Sequence, residues 1–297
     1  MLLYNTAVSL LTPPPLRPGD RIAVVAPSGP FDRPSLEKGL EVLSRRYQPV
    51  FTERIFETHR YLAGTDAARG AELQTALDDQ AVKAVFAARG GYGSARLLPA
   101  LRLGSPKILA GFSDFTALHC AAQQHGWRSL HAPVLTQLGK QPADVVDRLF
   151  ALLEGQPVTP LTGLRTVAKG VAEGILLGGN LSVFTRLIGT PWLPSLRGSV
   201  LLIEDVGEKP YRLDRMWTHL KLAGLFDGVR GIVFGEFTGC DDKDASCSSA
   251  DVLDELASTL GIPCVAGFRI GHGEVNHPVM LGAPVRLDAD ARVLSFP

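Results

Sequence analysis

The sequence predicts an α/β protein with an N-terminal domain built on a doubly wound, mostly parallel sheet and a smaller C-terminal domain that is α/β or β-rich. Three observations predict this class. The 297 residues accommodate two modest domains. Short apolar runs alternate with helical patterns in the first half. The pattern then changes after a proline- and threonine-containing segment, so we place the domains at 1–160 and 161–297, with a linker at about 156–169.

The first domain is defined by apolar runs that do not alternate with polar residues. Such runs are typical of strands buried on both faces of a parallel sheet. They predict strands at Arg21–Ser28, Val82–Ala88 and Lys107–Phe112. Helical spacing of apolar residues predicts helices after or between them, at 34–46, 66–78, 95–101 and 114–125.

The second domain shows longer apolar runs and fewer helices. Strands are predicted at Gly170–Leu177, Ser199–Asp205, Gly231–Phe237 and Pro284–Asp288. Two segments with helical spacing follow the middle strands, at 212–222 and 250–260.

Composition excludes several function classes. The 30 basic and 30 acidic residues give zero net charge, which provides no electrostatic footprint for nucleic acid or an anionic membrane. A content of 45% hydrophobic and 20% charged residues excludes a disordered chain. The cysteines lack metal-binding spacing and are expected to be reduced thiols of a cytosolic protein: Cys120, Cys240, Cys247 and Cys264.

The apolar start, residues 1–12, lacks the basic region and the cleavage site of a signal peptide. It runs into Pro13–Pro15, so we expect a loosely ordered segment before the first strand. No apolar stretch approaches the ~20 residues of a membrane helix. These features predict a soluble protein.

Ser113 lies where a buried strand meets a helix, within Gly111-Phe112-Ser113-Asp114. This is the context of a nucleophile elbow, in which a sharp turn exposes the serine hydroxyl and the next amide, here that of Asp114, can stabilise an oxyanion. The second glycine of the usual elbow motif is replaced by Phe115. A serine in this position can equally be the N-cap of the helix, and the local pattern leaves both interpretations open.

A nucleophilic serine requires a base and a group that orients it. Of the seven histidines, His272 is distinguished by its flanking glycines, Gly271 and Gly273, which leave the ring approachable. Glu204 and Asp205 follow four apolar residues, and a carboxylate at the end of a buried strand must find a partner. That partner is a histidine or, as spacing alone favours, an arginine such as 212 or 215.

The glycine-rich loop Arg89–Ser94 opens a predicted helix and matches no nucleotide-binding motif. Such a loop can hold phosphate or offer an amide to an oxyanion. His272 and His277 do not share a helix face, so no metal site is predicted. The acidic run Asp241–Asp244 is interpreted as a solvated loop.

Seven segments, taken in order, resemble the LD-carboxypeptidase family of serine peptidases, which includes muramoyltetrapeptide carboxypeptidases and microcin-immunity hydrolases. The resemblance covers about Leu16 to Leu287. It is carried by PGDRIAVVAPSGP, YLAGTDAARGAELQTAL, ARGGYGSARLL, GFSDFTALH, GGNLSVFTRLIGTPWLP, IEDVGEKPYRLDRM and GFRIGHG.

The resemblance implies a catalytic serine at Ser113, a glutamate at Glu204 and a histidine at His272, with the active site in the cleft between the domains. It implies oxyanion donors at Asp114 and Gly91. It also implies a cytoplasmic dimer with no metal and no organic cofactor. Family members usually continue the GHG segment with an apolar stretch, whereas this chain has a second histidine, His277.

The implied function is release of the terminal D-alanine from murein tetrapeptides during cell-wall recycling, with a murein peptide as partner and neither nucleic acid nor membrane. An arginine suits the substrate carboxylate, but the sequence does not identify which. One alternative is a microcin-immunity-type hydrolase of aminoacyl-nucleotide analogues, for which Trp192 is the only candidate nucleobase platform. Another is a non-catalytic module that binds phosphate or sugar through the glycine-rich loop.

Overall fold

A computed structural model describes residues 10–242 and 246–297. Residues 1–9 of the apolar start and residues 243–245, which include the end of the acidic run, lie outside the described residues. The described chain forms two compact units. The N-terminal unit comprises Leu10–Pro157 and Asn276–Met280, and the C-terminal unit comprises Val158–Val275 and Leu281–Pro297.

The sheet of the N-terminal unit has six strands in the order β12-β5-β4-β3-β1-β2. Strands β1 to β5 pair with one another in parallel, and both faces of β1, β3 and β4 are buried. The three strands predicted for this domain are therefore confirmed. The strands span Arg21–Val25 (β1), Gln48–Val50 (β2), Val82–Ala87 (β3), Ile108–Gly111 (β4), Ser129–His131 (β5) and Val279–Leu281 (β12).

Five α-helices cover this sheet: Arg33–Leu43 (α1), Asp66–Asp78 (α2), Thr116–Gln124 (α3), Leu135–Leu138 (α4) and Ala143–Leu153 (α5). Short 3-10 helices span Glu53–Phe56, Ser94–Ala100 and Ser113–Phe115. The regular helix predicted at 95–101 is wrong, since the segment contains Pro99, which has no N–H for the helical ladder. The helix predicted at 114–125 begins with a 3-10 turn before α3.

The sheet of the C-terminal unit has eight strands in the order β6-β14-β13-β8-β9-β10-β11-β7. Strands β8 to β11 are parallel, whereas β7, β13, β14 and β6 join in antiparallel pairs. The strands span Leu161–Thr162 (β6), Arg165–Ala168 (β7), Val171–Asn180 (β8), Ser199–Val206 (β9), Gly231–Thr238 (β10), Cys264–Ala266 (β11), Pro284–Asp288 (β13) and Val293–Ser295 (β14).

The four strands predicted for this unit correspond to β8, β9, β10 and β13. The segment 156–169, predicted as a linker, contains β6 and β7. These strands are short, and their pairing with β14 and β11 is distant in sequence, so the local pattern gives no sign of them. Three helices complete the unit: Leu181–Thr185 (α6), Pro210–Leu222 (α7) and Ser249–Ser258 (α8).

The four cysteines are all unbridged, and only Cys247 is exposed. Among the residues described, none of the helices combines the length and the apolar composition that a bilayer crossing requires.

Candidate active site

Ser113 occupies a strained turn in the N-terminal unit. Strand β4 ends at Gly111 and the 3-10 helix begins at Ser113, which has a φ of +63°. A non-glycine residue in this left-handed region costs on the order of 1–3 kcal/mol and points to a functional constraint. This geometry is that of a nucleophile elbow.

The N-cap interpretation of Ser113 is wrong. The N-cap positions of the 3-10 helix and of α3 are Phe112 and Phe115, so Ser113 is the first residue within the 3-10 helix. Ser113 itself, with its strained backbone, therefore begins the helix that follows β4.

Asp114 holds the turn in place through its own side chain. Its Oδ2 accepts hydrogen bonds from the Ser28 hydroxyl at 2.6 Å and from the Ser94 amide at 2.8 Å. The Ser94 hydroxyl in turn donates to the Asp114 carbonyl at 2.5 Å. These bonds connect the loops after β1 and β3 to the elbow. Because Asp114 and both serines are buried, the bonds are strong and oppose any relaxation of the backbone at Ser113.

The glycine-rich loop lies directly against the nucleophile candidate. A Cβ on Gly90 would come within 2.8 Å of Ser113 Cβ and 2.9 Å of its Oγ, so only glycine fits there. The next residue, Gly91, has a φ of +119°. The structure thus brings the loop that carries Gly90 and Gly91 to Ser113, while the oxyanion roles of Gly91 and Asp114 stay predictions.

His119 lies buried behind the elbow. Its Nε2 is 2.9 Å from the Gly111 carbonyl and its Nδ1 is 2.9 Å from the Ser129 hydroxyl. Burial lowers the pKa of His119 to about 4, although the bond to Gly111 opposes the shift. The neutral ring therefore donates from Nε2 to the carbonyl and accepts at Nδ1 from the Ser129 hydroxyl, which fixes the strand end just before Ser113.

This neutral histidine predicts an acid-sensitive fold. In the unfolded chain a histidine takes up a proton near pH 6.5, whereas folded His119 does so only near pH 4. Its contribution to stability is complete above pH 6.5 and declines as the pH falls towards 4, by about 1.4 kcal/mol per pH unit. Urea unfolding at pH 7 and pH 5 should show a pH-dependent loss about 2 kcal/mol larger in wild type than in His119→Gln. Equal losses would show that His119 is not held neutral.

Glu204 and His272 form a hydrogen-bonded pair in the C-terminal unit. Glu204 lies near the end of β9 and is completely buried. Its Oε2 is 2.6 Å from His272 Nδ1. A Cβ on Gly271 would lie 2.5 Å from the same oxygen, so the glycine before His272 lets the loop approach the carboxylate. The pair has the geometry of a base and its orienting group.

The environment of His272 has opposing effects on its charge. Burial alone would lower the pKa of this imidazole, but the hydrogen bond and the negative charge of Glu204, together with the charge of Asp205, raise it above its ordinary value. The imidazole therefore accepts a proton readily, as a general base must.

The neighbouring carboxylate, Asp205, has a structural role. It accepts bonds from the Asn180 side chain at 3.0 Å and from the Ser182 amide at 2.8 Å, at the start of α6. Burial is the largest factor raising its pKa to about 6. Arg212 pairs with Glu208 on the surface, so the arginine partner that spacing favoured for Glu204 is replaced by His272.

Sequence reasoning missed Glu236, which lies beside the His272 loop. The pairing of β10 with β9 shifts register between Phe234 and Phe237, and Glu236 sits in this bulge. Its carboxylate accepts a hydrogen bond from the Gly273 amide, and burial is the main cause of its raised pKa. The only sequence signal is Gly235, which interrupts the apolar run, since a glycine within a strand often marks a bulge.

His277 belongs to the segment 276–280 of the N-terminal unit, whereas the described contact of Glu204 is with His272. Within residues 10–242 and 246–297, no three His, Cys, Asp or Glu side chains are grouped so that they could hold a metal ion.

Comparison with known proteins gives the family. A sequence model of the LD-carboxypeptidase N-terminal domain matches residues 22–132, and one of the C-terminal domain matches residues 173–287. The murein tetrapeptide carboxypeptidase of Pseudomonas aeruginosa is 34% identical, over 91% of this chain and 94% of that protein. The chain belongs to the LD-carboxypeptidase family.

Two solved structures share the fold of this family member. The crystal structure of muramoyltetrapeptide carboxypeptidase from Oxalobacter formigenes is 30% identical, with a TM-score of 0.82 over 92% of this chain and 97% of the other. MccF, the microcin C7 self-immunity protein of Escherichia coli, was solved in complex with glutamyl sulfamoyl guanosine. That structure is 25% identical, with a TM-score of 0.86 over 97% and 98% of the two chains. The predicted fold class and the resemblance are confirmed, and the family models together with the carboxypeptidase-named relatives support a peptidase.

Proposed function

We propose that the protein is a serine LD-carboxypeptidase that releases the terminal D-alanine of murein tetrapeptides. The observation that carries the proposal is the 2.6 Å contact between Glu204 and His272 Nδ1 in a chain of this family. A carboxylate on Nδ1 leaves Nε2 available to accept a proton from a nucleophile. Ser113, in its strained turn, is the residue to which we assign that nucleophile.

In the proposed reaction the Ser113 hydroxyl attacks the carbonyl carbon of the L-centre that carries D-alanine. His272 Nε2 takes the hydroxyl proton, and Glu204 stabilises the resulting imidazolium. The amides of Asp114 and Gly91 stabilise the negative charge on the carbonyl oxygen. Collapse of the tetrahedral intermediate breaks the C–N bond, and His272 gives its proton to the amine of the departing D-alanine. Water, deprotonated by the same histidine, then hydrolyses the acyl-enzyme.

The proposed reaction uses residues of both units: Ser113 lies in the N-terminal unit, and Glu204 and His272 lie in the C-terminal unit. We further propose that the protein acts in cell-wall recycling in the cytoplasm, where its four unbridged cysteines match a reducing environment. A dimer is the assembly that the family resemblance implies.

A second candidate function is hydrolysis of aminoacyl-nucleotide analogues, which the likeness to MccF favours. This activity would require an aromatic platform for the base. Trp192, the only candidate named from the sequence, is half-buried after α6. A non-catalytic binding module would give no reason for a strained serine, nor for a buried glutamate on an imidazole.

The test compares three peptides that share one L-centre and end in D-alanine, in L-alanine or in D-alanine amide. We expect the first to release its terminal residue much the fastest, because misplacement of the carbonyl by about 1 Å costs roughly a hundredfold in rate. The released amino acid or amino acid amide is measured by chromatography, with glutamyl sulfamoyl guanosine, the compound in the MccF complex, as a fourth substrate. Equal rates on the three peptides, or hydrolysis of the nucleotide analogue alone, would contradict the carboxypeptidase proposal.

A further inference from the structure

A polar cavity of about 650 Å³ opens at one edge of the N-terminal sheet. Five of its lining residues are polar or charged: Asp32, Ser35, Arg89, Thr136 and Lys140. Asp32 and Ser35 lie at the start of α1, Arg89 follows β3, and the other two lie within α4 or just after it. Ser113 follows the carboxyl end of β4 in the same parallel sheet, so the cavity and the elbow occupy one edge.

The position of this cavity in the sheet is that of a ligand site. Strand β1 has β2 on one side and β3 on the other. The connections that leave β1 and β3 therefore run in opposite directions across the sheet, which makes the space between these two strands a topological switch point. Ligands of open α/β sheets bind beyond the carboxyl ends of the strands at such a switch point. Pro30 and Arg89, which follow β1 and β3, both line the cavity.

The charges in the cavity favour an anion. Arg89 and Lys140 are its cations and Asp32 is its only acid. The Asp32 carboxylate is already engaged, since it accepts the Ser35 amide at 2.8 Å as the N-cap of α1. Arg89 is exposed and donates one hydrogen bond to the Pro30 carbonyl. A guanidinium has five N–H donors, so others remain for a ligand.

Arg89 is connected to Ser113 through two glycines. Gly90, the next residue, is the one whose added Cβ would touch Ser113 Oγ at 2.9 Å. A Cβ on Gly29 would lie 3.3 Å from the Gly90 carbonyl and 3.6 Å from Arg89 Nη1. The guanidinium therefore lies beside Gly29, and Gly29 in turn contacts Gly90, the glycine next to Ser113.

The dimensions of a carboxypeptidase substrate require the carboxylate-binding group to lie close to the nucleophile. In a peptide, the terminal carboxylate carbon lies about 3–4 Å from the carbonyl carbon of the preceding residue. A group that binds the carboxylate must therefore lie within about one residue of the nucleophile. Arginine suits this role because its planar fork binds a carboxylate through two parallel hydrogen bonds.

From this geometry we propose that Arg89 binds the free C-terminal carboxylate of the substrate and thereby selects a terminal residue for cleavage. The proposal rests on the proposed function, since it assigns the carboxylate-binding group of the same reaction. Lys140 adds positive charge to the cavity, whereas the fork of Arg89 provides the directional contact.

The experiment measures kcat/KM for tetrapeptides ending in D-alanine and in D-alanine amide, with wild type, Arg89→Gln, Arg89→Lys and Arg33→Gln. Arg33 is the matched control because it begins α1 next to Asp32, but its guanidinium pairs with Glu53 and lies 3.8 Å above the Phe56 ring. We expect Arg89→Gln to lose about a hundredfold on the acid and to be unchanged on the amide. Arg89→Lys should keep part of the preference for the acid, and Arg33→Gln all of it.

The outcomes separate this inference from the proposed function. If wild type prefers the acid and Arg89→Gln keeps that preference, another group binds the carboxylate and the inference is wrong. Equal losses on acid and amide would show a structural role and would also overturn it, as would equal wild-type rates on both peptides. If wild type cleaves neither peptide, the proposed function itself fails. Thermal unfolding of each variant verifies the fold, and Arg89→Lys provides the test if Arg89→Gln does not fold.

Discussion

Replacement of Ser113 by alanine is expected to reduce D-alanine release by about 10⁴-fold or more. Loss of the nucleophile in a serine hydrolase costs nearly as much as loss of the whole catalytic group. The residual rate comes from substrate binding and from the oxyanion donors, which the substitution leaves unchanged. The fold should be retained because alanine removes one oxygen and keeps the Cβ that packs against Gly90.

A second substitution at the same position tests whether the backbone of Ser113 is strained. Ser113 has a φ of +63°, which glycine adopts without the steric cost that alanine retains. Ser113→Gly should therefore be as inactive as Ser113→Ala but more stable, by about 1 kcal/mol in the free energy of unfolding. Ser44→Ala, the same exchange at an exposed residue at the end of α1, should keep full activity.

The decisive measurement is the rate of D-alanine release, together with urea unfolding of all four proteins. A Ser113→Ala enzyme that works within tenfold of wild type would assign the nucleophile to another residue. An alanine variant as stable as the glycine variant would show that the elbow is not strained in solution.

The local sequence predicts the parts of this fold that depend on short-range patterns. Strands β1, β3 and β4 follow from uninterrupted apolar runs, because strands buried on both faces require them. The candidate histidine stands out because glycines flank it. In both cases the signal lies within a few residues of the position that it predicts.

The features that the sequence did not predict depend on distant residues. Strands β6 and β7 exist because β14 and β11 pair with them, more than ninety residues away in sequence. The turn at Ser113 is held by buried hydrogen bonds to Asp114 from Ser28 and Ser94, which lie in other loops. Glu236 reaches the His272 loop only because a bulge displaces it from the regular register of β10.

Replacement of His272 by alanine is expected to reduce kcat/KM by several orders of magnitude, since base and nucleophile act as a unit. His277→Ala is the matched control: it removes the second histidine of the same segment and should have a mild effect. The reverse ranking would assign the base to His277.

The charge of Glu204 should also be visible in the pH profile. The base acts as neutral imidazole, so kcat/KM falls as the pH drops through the pKa of His272 in the free enzyme. Because that pKa is raised above the ordinary 6.5, the acidic limb of wild type should have its midpoint above pH 6.5.

Glu204→Gln removes the negative charge that raises the pKa of His272 and leaves burial, the largest factor, which lowers it, opposed by the smaller effect of Asp205. The midpoint of the acidic limb should therefore move to lower pH, while the plateau rate falls by about 10³–10⁴-fold because the imidazole loses its orienting carboxylate. Glu208→Gln, an exchange of the surface partner of Arg212, serves as the control and should move neither the midpoint nor the plateau. A Glu204→Gln enzyme with a reduced plateau but an unshifted midpoint would show that Glu204 supports the loop without setting the basicity of His272.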